Sequence, residues 1–271
     1  MYVCTIKPLY MFEKEINAYE NLLKAYRQKV TSRMALKDLR EYNEILFSSH
    51  SCAIEGNSFS VNDTRELKEK GLGIIPQGKT LFEAFEMLDH FRAYEYLFNQ
   101  PEAPITEDLL KETHRILMEH TLSYRYPDAI PGEYTDTDMC AGDTIFGEHE
   151  QQIARVPLLL SSTQRTLEEG KIHPMILAAR FHGFYEYLHP FRDGNGRIGR
   201  LFYNFILHKA GHPIVIITKE KKEEYINALR YIRTERTDEH LISFFFQTAM
   251  ERMQQEIDEK KSQGVNFPFL F

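Results

Sequence analysis

Cysteine is scarce in this chain. There are three, Cys4, Cys52 and Cys140, an odd number with no CxxC spacing; this excludes a disulfide framework and a cysteine-rich zinc site and points to a reducing compartment. Positive charge is also short: 33 Lys and Arg stand against 40 Asp and Glu, a net charge of −7, which argues against the broad basic face that nucleic acid requires. The cluster Lys219, Lys221 and Lys222 is broken by Glu220, Glu223 and Glu224, the pattern of a solvated helix face. No run approaches the ~18 apolar residues of a membrane span, and the opening MYVCTIKPLYMFEKEI lacks a basic region followed by an apolar one, so it does not read as a secretory signal. Repeats, low-complexity tracts and an obvious linker are absent too. The expectation is a cytoplasmic protein with neither a nucleic-acid nor a membrane partner.

What the chain has is helical periodicity. With 42% hydrophobic and 27% charged residues it can bury a core without staples. Apolar positions recur near every 3.6 residues over 10–28, 33–50, 80–99, 106–119, 156–169, 174–188, 197–209, 222–235 and 238–261, all read as helices. Thr80 and Glu83 form a capping box, Gly170 and Gly211 follow helical runs, and Pro174 suits a first turn. Only 132–147, GEYTDTDMCAGDTIFG, reads as a short hairpin. The expected architecture is an all-α body with a small β-hairpin flap: an N-terminal helical region over 1–104, a core over 105–245, and a C-terminal helix and tail over 246–271. The apolar end, Phe267 to Phe271, would dock on its own core or on a partner.

The chemistry concentrates in HPFRDGNGRIGR, His189 to Arg200. Pro190 ends the preceding apolar helix and drives His189 from helical angles, so its ring can face a cleft. Gly194-Asn195-Gly196 permits positive φ, letting successive N–H groups converge as an anion nest, and a new helix begins there with its positive dipole end. Arg197 and Arg200 are three apart on that helix and share a face toward bound phosphates. Asp193 lies at the edge of the nest, where a carboxylate suits Mg²⁺ on a nucleotide. Phe191 anchors the loop.

This stretch resembles the signature loop of the Fic family, HPFx[DE]GNGRxxR, at every defined position. The resemblance implies an all-α Fic fold with a small β-hairpin flap and a protein adenylyltransferase that moves AMP from Mg-ATP to a Ser, Thr or Tyr hydroxyl of a target protein. His189 would be the general base, Asp193 the Mg²⁺ ligand, Gly194, Asn195 and Gly196 the anion hole, and Arg197 and Arg200 the phosphate-binding pair. Ser51-Cys52-Ala53-Ile54-Glu55-Gly56 resembles the family's inhibitory motif [S/T]xxxE[G/N], with Ser51, Glu55 and Gly56 matched; Glu55 would pair with Arg200. Gly132-Glu133-Tyr134 resembles the start of the target-docking flap, with Thr135 where an Arg is usual. Tyr225 falls where the family lines the adenine pocket.

Rival readings stay open. Glu55 could instead position a water for removal of AMP, or the chain could be a non-catalytic nucleotide-binding module. A phosphotransferase of this fold carries Lys where Gly196 stands. UMP or phosphocholine transfer, and monomer or homodimer, are left undecided. Gly73 to Thr80 matches the P-loop expression GxxxxGK[ST], but no buried strand precedes it and Pro76 interrupts it, so it reads as a decoy. His149-Glu150 lacks the second His of a zinc protease.

Overall fold

The computed structural model describes residues 9–73, 75–141 and 144–263. Cys4, residues 264–271 and the central Gly142-Asp143 of the expected hairpin lie outside the described residues. The helices, among these residues, are α1 (Glu13–Lys29), α2 (Leu36–Ile54), α3 (Val61–Lys70), α4 (Leu81–Phe98), α5 (Glu107–Leu117), α6 (Leu122–Arg125), α7 (His149–Ile153), α8 (Val156–Glu169), α9 (Pro174–Leu188), α10 (Asn195–Lys209), α11 (Lys222–Thr234) and α12 (Glu239–Gln263). Strands β1 (Cys140–Ala141) and β2 (Thr144–Ile145) pair antiparallel with Cys140 opposite Ile145, inside the stretch read as a hairpin.

α9 is apolar on every side because it is central, the expected fate of such a helix. Ile176, Ala179, Phe181 and Tyr185 are all buried, with α8, α10, α11 and α12 packed around it and α1 laid along α12. Gly183 permits the closest approach, since a Cβ there would sit 2.3 Å from Ile232 Cδ1. One continuous apolar cluster runs from Phe12 to Ile257, drawing on all three sequence regions. Leu67, Ala84, Met87 and Phe91 form a smaller cluster with Cys52 and Phe59 beside the end of α2.

Local signals act as read. Thr80 Oγ1 accepts from Glu83 N (3.1 Å) while a Glu83 oxygen accepts from Thr80 N (2.9 Å). Gly170 caps α8 in the left-handed region. α3, α6 and α7 were not among the periodic segments: α6 and α7 are four and five residues long, and charged α3 is held by a second capping box, Ser60 with Asp63. The literal P-loop match is a turn between α3 and α4. Its Lys79 lies 3.6 Å from Asp63 and donates to Ser58 O, and the Thr80 hydroxyl is used by the cap.

Candidate active site

The signature loop joins the end of α9 to the start of α10, and every turn of it is fastened. His189 leaves α9 in the left-handed region (φ 49°, ψ 57°) while its N–H still donates to Tyr185 O at 2.9 Å. The sequence anticipated departure from helical angles; the left-handed form, strained for a residue with a Cβ, is what the structure adds. Phe191 is fully buried and stacks on His114 at 3.7 Å. His114 Nδ1 accepts from Gly132 N (2.9 Å), so its Nε2–H donates to Asp193 O (3.0 Å). Asn195 closes the loop on itself: its Oδ1 accepts from Phe191 N (3.0 Å) and its Nδ2 donates to Phe191 O (2.7 Å). That leaves the first-turn N–H groups of α10 as the anion-directed donors, with Gly194 at φ 78° just before them.

The two signature arginines leave α10 together and then part. Arg200, 3% exposed, donates from Nη2 to Glu55 Oε1 at 2.7 Å and to Ser51 O at 2.9 Å, and from Nε to Ser51 Oγ at 3.1 Å. Arg197 turns inward, where Nη1 donates to Glu86 Oε1 at 2.7 Å and Nη2 lies 3.4 Å from Asp193 Oδ1. Arg200 therefore lines the cleft over the loop, whereas Arg197 is not among the cleft's lining residues. A buried carboxylate on α4 competes for Arg197, and a desolvated guanidinium takes the closest anion. Glu86 Oε2 also accepts from Asn57 Nδ2 at 2.8 Å, which ties the turn after Glu55 to the same knot.

A cleft of about 840 Å³ opens over the loop, lined by Glu55, Glu186, His189, Gly196, Arg200, Tyr225 and Arg233, a size that suits a nucleotide. Glu55 ends α2, and Gly56 follows at φ 105°. Glu55's carboxylate stands so close to Gly196 that a Cβ there would lie 2.4 Å from Oε1. Burial would raise the Glu55 pKa, but Arg200 and Arg197 outweigh it and hold the group below the usual carboxylate range. His189 is pushed down to about 4, by burial first and by Arg233 second, so its imidazole is neutral at neutral pH. Its Nδ1 is buried, makes no full hydrogen bond and lies 3.9 Å from Glu186 Oε2, and its ring stacks on Phe146 of the flap at 3.9 Å. Tyr225 lines the cleft with its hydroxyl 2.6 Å from His182 Nε2.

Asp193 stands at the edge of the nest, engaged on both oxygens. Oδ1 accepts from Gly194 N (2.6 Å) and Oδ2 lies 3.2 Å from Arg125 Nη1. Among the described residues two His/carboxylate groups could converge on an ion, Glu20-His173-His212 and Asp89-Glu119-His120, and neither includes Asp193. A lone carboxylate beside an anion nest fits Mg²⁺, which takes one or two carboxylates and completes its octahedron with phosphates and water.

Glu86, Glu186, Arg233, Phe146 and Arg125 were not singled out from sequence. Glu86 had a signal: it occupies a buried position of α4 between Ala84 and Met87, where a charge demands a partner. Arg233 and Phe146 had none, because what they touch is set by how α11 and the flap pack.

A left-handed histidine, a glycine nest opening a helix and an all-helical frame around them together define a Fic fold. Residues 104–207 match the Fic domain of the Fic/DOC family, and the chain belongs to that family. The Culex quinquefasciatus protein adenylyltransferase Fic is 33% identical over 189 residues, 67% of this chain and 35% of that protein. The chain thus spans well under half the length of the curated relatives it matches. Among solved structures, a Fic-domain signaling protein from Bacteroides thetaiotaomicron aligns with a TM-score of 0.77 at 23% identity, covering 93% of this chain and 99% of that one. Fic-1 from C. elegans gives 0.76 at 25%, covering 94% and 74%. Among the described residues no helix is long and apolar enough to cross a membrane.

Proposed function

We propose that the chain is a protein adenylyltransferase held inactive by Glu55. The reading rests above all on one observation: the Glu55 carboxylate, 2.7 Å from Arg200, stands in the same cleft as His189 and the N-terminus of α10. The curated relatives that bear the adenylyltransferase name support the activity. His189 has Nδ1 turned into the protein, leaving Nε2 to take the proton from a Ser, Thr or Tyr hydroxyl; a base so placed contributes about 10²–10⁴-fold. The freed oxygen bonds to the α-phosphorus of ATP as the bond to pyrophosphate breaks. The N–H groups of Asn195 and Gly196 hold the charge that develops, and Arg200 joins them once Glu55 withdraws. Arg197 acts through the loop, steadying Asp193. Mg²⁺, held by Asp193, would neutralise charge on the phosphates.

Glu55 blocks this in two ways: it occupies Arg200, and its charge repels a γ-phosphate from the same place. The target segment is assigned to the edge of β2, beside Ile145, which is 78% exposed, by strand addition. Cys52 and Cys140 are free thiols, in keeping with a cytoplasmic setting. The ionised Glu55 shares the cleft with His189, an arrangement that also suits positioning a water for AMP removal.

The test is to incubate wild type, Glu55→Gly and Glu55→Gly/His189→Ala with Mg²⁺ and ATP labelled at the α- or γ-phosphate. Label from the α position only, strong in Glu55→Gly and lost in the double variant, is the expected outcome. Label from the γ position would replace this reading with a phosphotransferase. No transfer by Glu55→Gly, with wild type stripping AMP from a modified target, would reverse the direction assigned here, and ATP binding with neither activity would leave a nucleotide-binding module.

A further inference from the structure

One side chain outside the signature loop touches both parts that transfer needs held still. Arg233, in the last turn of α11, donates from Nη2 to the carbonyls of Glu186 (2.9 Å) and Tyr187 (2.8 Å). These belong to the last turn of α9, where carbonyls lack helical partners and a cation answers the negative end of the dipole. The same guanidinium lies 4.3 Å from the ring centre of Phe146. Phe146 in turn stacks on His189, centroids 3.9 Å apart and planes at 14°. A column of guanidinium, phenyl ring and imidazole therefore joins α11, the flap and the loop.

We propose that Arg233 is a positioning residue that sets the His189 imidazole and seats the flap on it, so that base alignment and flap placement depend on the same side chain. The inference rests on the assignment of His189 as the base. His189 needs such support: its backbone is in a strained region, its Nδ1 makes no full hydrogen bond and reaches only Glu186, whose Oε2 lies 3.9 Å away, and what holds its ring face is Phe146. Phe146 needs it equally, because it follows a strand of two residues, too short to hold a fixed position alone. Arginine suits the role where lysine does not. Nη2 bonds both carbonyls while the guanidinium plane covers a ring; a lysine ammonium can donate to the carbonyls but has no plane to lay on the ring.

The competing explanation is that Arg233, which lines the cleft, merely contacts the nucleotide. The two make different predictions. A nucleotide contact would govern ATP affinity; a positioning residue would govern turnover and the order of the flap. The groups facing His189 are Glu186 on α9, Glu55 on α2, Asp193 in the loop and Arg233 on α11, and Arg233 is the cation that disfavours protonation. Its removal should shift the acid limb of the pH profile upward.

The chain has no tryptophan, so Phe146→Trp places a single fluorophore in the column. Adding Arg233→Lys or Arg233→Met to it should make the indole more accessible to acrylamide, a readout that needs no activity. In the Glu55→Gly protein with Phe146 retained, both substitutions should lower kcat by about 10²-fold, the scale of a misplacement of roughly 1 Å, with KM for ATP within about twofold. The acid limb should move in Arg233→Met and stay in Arg233→Lys. A large rise in KM with unchanged kcat and unchanged quenching would make Arg233 a nucleotide contact, and no change in any readout would make it a passive cap; either overturns the proposal. If Glu55→Gly transfers nothing, the assignment of the reaction fails, while quenching still decides whether Arg233 orders the flap.

Discussion

Replacing Glu86 with Ala strands a guanidinium in the core. The Glu86 and Arg197 side chains are 4% and 2% exposed, with Oε1 and Nη1 2.7 Å apart. Removing one partner of such a pair costs about 3–5 kcal/mol, because the remaining charge has no solvent to return to. Asn57 also loses its acceptor at 2.8 Å, a further ~1–3 kcal/mol. Asp193, 3.4 Å from Arg197 Nη2, recovers some of this, so the net loss should be about 3–6 kcal/mol. In a chain of this size each kcal/mol moves Tm by about 2–4 °C, so the fall should be roughly 6–24 °C. Scanning calorimetry at neutral pH measures it. Glu86→Gln, which keeps an acceptor for Asn57, should fall less, and Glu86→Leu with Arg197→Met should recover most of the loss because no charge is left buried. A Tm for Glu86→Ala within about 2 °C of wild type, or a double variant no better than the single one, would refute the reasoning.

Two further predictions concern the cleft. Gly196→Ala puts a methyl 2.4 Å from Glu55 Oε1 and 3.0 Å from Arg200 Nη1, while the helix itself gains up to about 1 kcal/mol from the change. The carboxylate must shift, so labelling from α-labelled ATP should rise above wild type yet stay below Glu55→Gly, since the methyl also narrows the phosphate approach; labelling at the wild-type level would sink the idea. Acid stability is the other case. Burial is the largest cause that pushes His114, His182 and His189 down to about 4, 3 and 4. Unfolded histidines take up protons near 6.5, so stability is lost as pH falls from about 6.5 toward 4. Glu186, raised by burial to about 7, works in the opposite sense: its folded-state proton stabilises at low pH, and that contribution is lost as pH rises through 7. Glu186→Gln should therefore steepen the acid-side loss between pH 5 and 6.5 by about 1.4 kcal/mol per pH unit. Urea midpoints at pH 5, 6 and 7 check it, and a slope equal to wild type counts against the buried proton.

The helices, caps and signature loop were legible because each is specified within a few residues. Period 3.6 marks α9 and α10, Thr80 and Glu83 write their cap in the sequence, and the spacing from His189 to Arg200 is itself the loop. The Glu55–Arg200 contact was legible only through resemblance, since 145 residues separate the partners and no local pattern reports on such a distance. Arg197 shows why the remainder was not. Its place on α10 was right, but where a buried guanidinium points depends on the nearest anion, and Glu86 arrives from a helix 111 residues away. The charged α3 was likewise missed as a periodic segment, because its stability comes from a cap and from Leu67 packed against α4 rather than from an apolar stripe.

The way both signature arginines are anchored bears on modularity. The stretch that carries the family signature, 104–207, takes its counter-charges from elsewhere: Arg197 from Glu86 on α4, Arg200 from Ser51 and Glu55 on α2. Cut free, it would leave Arg200 without its carboxylate and Arg197 with only Asp193, 3.4 Å away, and α9 would lose the cover of α11 and α12. The stretch is therefore expected to be inseparable from its flanks. A lineage that moved this loop into a new protein would have had to bring the helices whose carboxylates neutralise its arginines.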